Sequence, residues 1–216
     1  YGDHRDLHVR SRRQRQMCIR DSPYRVWLSE IILQQTQMKT GLKYYNVFIK
    51  IFPNIELLAS ASEEKIYSLW KGLGYYNRAK NLLKTAKLIV EKYNSHFPKT
   101  SKELILLPGV GKYTASAIAS ICYNEKTPVV DANVYRVLSR YFRIKNDISK
   151  SDAYCFFFNK SKTISNNVKN MGDYNQAIMD FGSKICAPKK PQCPPRLDNN
   201  SRRLGLSSTA SRVGSQ

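Results

Sequence analysis

One short segment near the middle of the chain, LPGVGKYTASAIA at residues 107–119, constrains the fold most strongly. A helical pattern ends before it, Pro-Gly-Val-Gly makes a tight turn, and a second helical pattern begins at Lys112. The glycines at positions 109 and 111 allow left-handed backbone geometry and a close approach to another backbone. The segment therefore predicts two helices joined by a tight hairpin turn.

The start of the second helix is suited to binding a phosphate, because its first N–H groups lack helical partners and the helix dipole is positive there. This pattern is typical of a helix-hairpin-helix motif, which contacts DNA backbone rather than a base sequence. The alternative is a plain hairpin between two core helices. We expect five residues of the hairpin to contact DNA: Leu107, Gly109, Val110, Gly111 and Lys112.

The rest of the central region reads as helices interrupted by proline and glycine. The helical patterns cover residues 23–37, 39–52, 62–69, 79–93, 101–106, 112–123, 133–141, 151–161 and 174–185. The only strand-like piece is TPVVD at 127–131, which is too short to pair usefully. The sequence therefore predicts an all-α protein with no internal repeat.

The net charge of +20 indicates a polyanionic partner, of which nucleic acid is the commonest. The longest apolar stretch falls far below the roughly 18 residues of a membrane-spanning helix, so no membrane association is expected. Five unevenly spread cysteines and no signal peptide argue against a disulfide scaffold. These features favour a reducing compartment, which is the cytoplasm and its nucleoid if the source is bacterial.

The two ends differ in composition from the region between them. Residues 1–22 and 194–216 hold six and four Arg and no Lys, whereas residues 23–193 hold 21 Lys and only five Arg. We therefore expect both ends to be non-native and exclude them from the fold. A basic DNA-binding arm is the alternative for the first of them. The central region alone still has 26 basic and 12 acidic residues.

Glu30, in PYRVWLSEIILQQTQ, lies between Val26, Trp27 and Leu33 on a helical wheel. Burial of an ionised carboxylate is costly, so its pKa should rise towards the value that a general acid needs near neutrality. The alternative is a loosely packed helix with Glu30 facing solvent. Residues 34–37 are four uncharged polar residues on the same predicted helix, and they suit hydrogen bonding to base edges.

Asp131 stands directly before the helical pattern that begins at position 133. An Asp at such a place is first of all a helix N-cap. It could also be a second carboxylate of an active site, where an ionised Asp stabilises an oxocarbenium ion while a protonated Glu donates a proton.

Together these segments resemble the helix-hairpin-helix DNA glycosylase superfamily, and closely the MutY-type adenine DNA glycosylases. The matching segments occur in the family's order and cover nearly all of residues 23–193: PYRVWLSEIILQQTQ, LWKGLGYYNRAKNL, FPKTSKELILLPGVGKYTASAIAS, PVVDANVYRVLSR and YNQAIMDFGSKIC. The resemblance implies a monomeric enzyme that removes adenine mispaired with 8-oxoguanine or guanine in double-stranded DNA. Another glycosylase of the superfamily, for example one acting on thymine mismatches, is an alternative. So is a non-catalytic DNA-binding module.

The resemblance also implies residue roles. Glu30 would protonate the flipped adenine, and Asp131 would stabilise or trap the oxocarbenium ion, with Asn133 supporting the catalytic water. Gln35 and Tyr75 would be wedged into the duplex, and Gln34 would contact bases.

Tyr113 occupies the position where relatives of the endonuclease III type carry a nucleophilic Lys. Without an amine there to form a Schiff base, we expect base removal without efficient strand cleavage. Lys112 is then a phosphate contact or a surface residue, and Tyr113 belongs to the predicted catalytic set.

The family pattern Cys-x6-Cys-x2-Cys-x5-Cys binds a 4Fe–4S cluster. Cys186 and Cys193 match its first two positions, but Arg stands at positions 196 and 202. We therefore expect a cluster in the native family member that this chain does not complete. Cys122 and Cys155 are predicted to be core residues.

The predicted architecture has two lobes. A six-helix lobe with the hairpin spans about 23–128, and a second helical lobe with the start of the cluster loop spans about 129–193. The family usually adds a C-terminal domain that reads 8-oxoguanine, and the sequence leaves open whether such a domain belongs to the full protein.

Overall fold

The structure, a computed structural model, describes residues 22–144 and 152–192, and both predicted non-native ends lie outside these residues. The described residues form ten helices: α1 (Pro23–Leu33), α2 (Met38–Ile51), α3 (Ile55–Ala59), α4 (Glu63–Trp70), α5 (Asn77–Tyr93), α6 (Ser101–Leu104), α7 (Lys112–Tyr123), α8 (Ala132–Phe142), α9 (Ala153–Ile164) and α10 (Met171–Lys184). No strand occurs among them, so the all-α prediction is confirmed. None of the described helices is long and apolar enough to cross a membrane.

The first helix ends earlier than predicted, at Leu33 rather than at position 37. Gln35 has a left-handed φ of 51°, and Gln37 is already the N-cap of α2. The four polar residues at 34–37 therefore form a tight link rather than a helix end, and that prediction was wrong. The reason lies elsewhere in the chain, because the buried guanidinium of Arg78 donates to the carbonyl groups of Ile32, in the last turn of α1, and of Gln34, in this link.

The sequence also missed α3, a five-residue helix after the FPN break. Asn54 caps it by accepting a hydrogen bond from the Leu57 N–H at 3.0 Å, and Ile55 and Leu58 are buried. With α3 included, residues 23–128 hold seven helices rather than six. The other helix ends lie within three residues of the predicted ones, and α7 matches at both ends.

Helix α1 lies in the centre of the larger hydrophobic core. Trp27, Leu28 and Ile32 are fully buried, and they share this core with Phe48 and Trp70, whose rings meet edge to face at 5.7 Å. A helix buried on most sides holds its remaining side chains in fixed directions. Glu30 is therefore carried by a helix that is packed into the larger core.

A second, smaller core forms between α8 and α9, around Val134, Leu138 and Phe157. Helix α10 packs against both α7 and α8. The buried amide of Asn175 on α10 donates to Ser120 Oγ at 3.0 Å and to the Thr127 carbonyl at 3.1 Å. The described residues thus hold two hydrophobic cores, and the division into two lobes near residue 128 stays a prediction.

The two cysteines predicted to be core residues differ. Cys122 is half-buried against the larger core, and burial raises its pKa to about 12. Cys155 is exposed, so its assignment to the core was wrong. It lies on α9, which turns Phe157 rather than Cys155 towards the smaller core.

Candidate functional site

Glu30 lies in the last turn of α1, next to the buried Val26 and Trp27. Its side chain is only partly exposed, and none of the described residues forms a hydrogen bond or an ion pair with its carboxyl group. Burial alone raises the pKa of Glu30 from 4.5 to about 7. The predicted rise in pKa is thus confirmed, and Glu30 can be partly protonated at neutral pH.

Asp131 is the N-cap of α8, as its position before the helical pattern predicted. Its Oδ1 accepts from the Val134 N–H at 2.8 Å, and its Oδ2 accepts from the Asn133 side-chain amide at 2.8 Å. The N-terminal end of a helix dipole also favours a negative charge here. Although one of its oxygens caps the helix, the Asp131 side chain stays partly exposed.

Asn133 connects Asp131 to a chain of further hydrogen bonds. Its Oδ1 accepts from Arg136 Nη2 at 2.8 Å, and the same guanidinium donates to the carbonyl groups of Cys186, at 2.7 Å, and Gly182. Gly182 lets α10 approach this point, since a Cβ there would lie 2.7 Å from Asn133 Cβ. Asn133 is therefore held on both sides of its amide.

The predicted hairpin comprises α6, the Pro-Gly-Val-Gly turn and α7. Gly109 has a left-handed φ of 74°, and the buried Thr85 hydroxyl donates to the Pro108 carbonyl at 2.8 Å. Leu107 and Val110 are 2% and 6% exposed, so their side chains belong to the core. Contact of these two residues with DNA stays a prediction, and with their side chains buried it would be made by their backbone.

The first residues of α7 reach towards α9 and α10. Gly111 is the N-cap, and the exposed Lys112 places its Nζ 4.9 Å from the centre of the Tyr154 ring. The Tyr113 hydroxyl donates to Met179 Sδ at 3.7 Å. Tyr113 is thus linked to α10, and Lys112 remains accessible at the start of α7, where the first N–H groups have no partner within the helix.

Gln34 joins the end of α1 to the hairpin. Its Nε2 donates to the Gly109 carbonyl at 3.3 Å and to Thr114 Oγ1 at 3.5 Å. Gln35 and Tyr75 each have a left-handed φ, of 51° and 50°, and Tyr75 is 64% exposed. An open pocket of about 450 Å³ separates their loops, and its lining consists of Gln34, Gln35, Tyr75, Tyr76, Asn77 and Arg78.

The structure therefore brings the predicted site residues into three groups. The first group is Gln34, Gln35 and Tyr75, which line one pocket, and the second is the hairpin, which Gln34 contacts through a hydrogen bond. The third group is Asp131 with Asn133, which donates a hydrogen bond to it. Within the described part of the chain, Glu30 is joined to none of them by a hydrogen bond or an ion pair.

A sequence model of the family described as "HhH-GPD superfamily base excision DNA repair protein" matches residues 28–157. The chain belongs to this superfamily. Nearly all residues of the candidate site, from Glu30 to Asn133, lie within the matched region.

Among similar proteins, the adenine DNA glycosylase of Buchnera aphidicola subsp. Baizongia pistaciae is 43% identical over 81% of this chain and 49% of its own length. The human adenine DNA glycosylase is 42% identical over 88% of this chain and 35% of its own length. The chain thus spans half or less of the length of these relatives.

Solved structures of the superfamily share the fold. A thermostable thymine-DNA glycosylase superposes with a TM-score of 0.72 at 30% identity, covering 80% of this chain and 79% of its own. A trapped endonuclease III–DNA covalent intermediate gives a TM-score of 0.67 at 22% identity, covering 81% of this chain and 80% of its own.

The residues present do not fit the 4Fe–4S cluster that the resemblance implies. Cys186 is 3% exposed, and its Sγ accepts a hydrogen bond from Arg140 Nη1 at 3.2 Å. Cys193 lies outside the described residues, and positions 196 and 202 are Arg. Among the described residues, no three His, Cys, Asp or Glu side chains are grouped to hold a metal ion. No step of the mechanism is therefore assigned to a cluster.

Arg78 is a site residue that the sequence reasoning missed. It lines the pocket between the loops that carry Gln35 and Tyr75. Its residue type could have indicated a special role, because Arg78 is one of only five Arg among the 26 basic residues at positions 23–193. A guanidinium offers forked donors that a lysine ammonium cannot replace.

Proposed function

We propose that this chain removes mispaired adenine from duplex DNA by hydrolysing its N-glycosidic bond. The observation that carries the proposal is Glu30, whose pKa burial raises to about 7. A carboxyl group with that pKa is available in its acid form at the pH of the cell and can donate a proton.

In the proposed reaction, the Glu30 carboxyl protonates the adenine ring as the bond between the base and C1′ breaks. The bonding electrons leave with the base, and the sugar becomes an oxocarbenium ion. The Asp131 carboxylate stabilises this cation, and Asn133 orients a water molecule that adds to C1′. The water loses a proton to Glu30, which restores the acid. The hydrogen bonds that hold Asp131 and Asn133 support these roles, because preorganised groups need little rearrangement during reaction.

Adenine must leave the base stack before it can reach Glu30, and flipping costs a few kcal/mol. Tyr75 and Gln35 would insert into the duplex, and the exposure of Tyr75 and the pocket that both residues line support this role. The start of α7 and Lys112 would bind the DNA backbone near the lesion. The +14 charge of residues 23–193 favours such a polyanion.

We further propose that the enzyme does not cut the strand. Tyr113 offers a hydroxyl where strand-cutting relatives have an amine, and it is anchored on Met179. The neighbouring Lys112 stands one position before the place of that amine, and its Nζ lies 4.9 Å from the centre of the Tyr154 ring. The enzyme would act as a monomer on DNA containing adenine opposite 8-oxoguanine or guanine, in the nucleoid if the source is bacterial.

A thymine-mismatch glycosylase is the second candidate, because the thymine-DNA glycosylase structure is similar over four-fifths of both chains. Adenine is favoured by the two adenine DNA glycosylases that are 43% and 42% identical to this chain. Single-turnover assays on otherwise identical duplexes with adenine–guanine, adenine–8-oxoguanine and thymine–guanine pairs decide between them. Release of adenine alone supports the proposal, and release of thymine alone contradicts it. Duplex binding without release of either base would favour a non-catalytic module.

A further inference from the structure

Arg78, in the first turn of α5, holds two loops that are far apart in sequence. Its side chain is 9% exposed, and its two terminal nitrogens point to different loops. Nη1 donates to two carbonyl groups in the last turn of α1, Ile31 O at 3.2 Å and Ile32 O at 2.8 Å. It also donates to two acceptors in the link that follows, Gln34 O at 2.6 Å and Thr36 Oγ1 at 3.1 Å. Nη2 donates to the loop after α4, at Leu73 O (3.3 Å) and Gly74 O (3.2 Å).

The Arg78 guanidinium is bound without a carboxylate partner among the described residues. It lies 5.3 Å from the centre of the Trp70 ring and 5.6 Å from that of Tyr75. A buried cation without an ion pair is costly unless its donors are satisfied. Here the two terminal nitrogens are satisfied by backbone carbonyl groups and the Thr36 hydroxyl, while Nε is buried without a hydrogen-bond partner among the described residues. A lysine ammonium lacks the planar, forked arrangement of donors, so it cannot donate to the carbonyl groups of both loops with the same geometry.

Each loop places a left-handed residue directly after a carbonyl group that Arg78 binds. Gln35 follows Gln34, and Tyr75 follows Gly74. Residues with a side chain seldom adopt this conformation unless their surroundings hold them in it. The two contacts therefore fix the direction in which both side chains leave the backbone on opposite sides of the pocket.

We propose that Arg78 is a positioning residue that sets Gln35 and Tyr75 in a fixed relation to each other, so that both enter the duplex together. The proposal rests on the proposed function for the role of these two side chains. Arg78 itself contributes by holding the two loops rather than by touching the reacting atoms.

The test compares Arg78→Lys, which keeps the charge and removes the fork, with Lys87→Arg, a reverse exchange at an exposed position of the same helix. Thr36→Val is a milder second variant that removes one acceptor of Nη1 and leaves Arg78 in place. Hydrogen exchange of the free proteins is measured first. We expect protection in Arg78→Lys to fall about tenfold or more at residues 33–36 and 72–76 and to stay unchanged elsewhere. Thr36→Val should lose protection at 33–36 only.

Single-turnover excision of adenine and binding to an undamaged duplex are then measured on the same variants. We expect Arg78→Lys to lower the excision rate at saturating enzyme about tenfold or more while binding changes less than about twofold. In a Gln35→Ala, Tyr75→Ala background, Arg78→Lys should have little further effect, because it acts through these residues. Lys87→Arg should leave every reading unchanged.

Normal exchange and normal excision in Arg78→Lys would overturn the proposal. A loss of protection spread over the whole protein, or an equal loss of rate in the double-alanine background, would also overturn it by showing a general structural role. If the unmutated chain released no adenine, the proposed function would fail, and hydrogen exchange would still decide whether Arg78 holds both loops.

Discussion

The side-chain amide of Asn133 donates a hydrogen bond to Asp131 Oδ2 at 2.8 Å, while the other oxygen of that carboxylate caps α8. One side chain thus has a structural and a proposed chemical task. The two tasks need different properties, because capping needs an acceptor oxygen and stabilisation of a cation needs a charge.

The variants Asp131→Asn and Asp131→Ala separate these tasks. An Asn caps a helix about as well as an Asp, so we expect Asp131→Asn to change the free energy of unfolding by less than about 1 kcal/mol. Excision should fall roughly 100-fold or more, since the charge is gone. In Asp131→Ala the cap is lost as well, at about 0.5–2 kcal/mol. Urea unfolding and single-turnover excision measure both effects, and an Asn variant with the original rate would contradict the role of the charge.

The pKa of Glu30 has a consequence for stability. A carboxyl group whose pKa rises from 4.5 to about 7 on folding stabilises the protein while it is protonated. That contribution is lost as the pH rises through this range. We expect Glu30→Gln, which cannot ionise, to gain stability relative to the original chain by roughly 2 kcal/mol between pH 5 and pH 8. Urea unfolding of both proteins at the two pH values measures the difference in their free energies of unfolding. If that difference is the same at pH 5 and pH 8, Glu30 is not buried as described.

The close approach of Gly182 to Asn133 predicts a second effect. An added Cβ would lie 2.7 Å from Asn133 Cβ and 3.0 Å from its carbonyl oxygen, so Gly182→Ala must displace this residue. Gly172→Ala is the matched control, because Gly172 lies on the same helix as Gly182 but away from Asn133. Its added Cβ would lie 3.0 Å from Ile121 Cα. Both variants should lose about 1–3 kcal/mol of stability. At a temperature where both are folded, only Gly182→Ala should lose excision, and equal losses in the two would contradict the assignment.

Lys112 should contribute to DNA binding through charge. If it contacts one phosphate, Lys112→Gln should weaken duplex binding regardless of sequence and reduce the slope of log K against log salt by about 1. Lys65→Gln removes an exposed charge on α4 and is the control. Titrations of a labelled duplex at several salt concentrations give the slope. If the slope of log K against log salt is the same in both variants, Lys112 is a surface residue that does not contact a phosphate.

The parts of the fold that follow from local sequence could be predicted well. The glycines and proline of the hairpin set the start of α7, which ends before the left-handed Asn124, and the helical period alone places Glu30 among buried neighbours. The break after Leu33 could not be predicted in this way, because a side chain 45 positions later, Arg78, binds the carbonyl groups there. Tertiary contacts of that kind override local helical preference.

Burial of single side chains was harder to predict than the helices that carry them. Leu107 and Val110 stand in the hairpin that is predicted to bind DNA, yet their side chains belong to the core. Cys155 lies in a correctly predicted helix but on its exposed face. The polar chain from Asp131 through Asn133 to Arg136 also depends on α10, which is distant in sequence.

The central claim is that Glu30 serves as the acid in removal of adenine without strand cleavage. The most direct measurement is single-turnover reaction of a duplex with adenine opposite 8-oxoguanine, analysed with and without hot alkali, for the original chain and for Glu30→Gln. We expect strand breaks only after alkali with the original chain, and none with Glu30→Gln although it binds the duplex nearly as well. Full activity of Glu30→Gln, or breaks without alkali, would contradict the account.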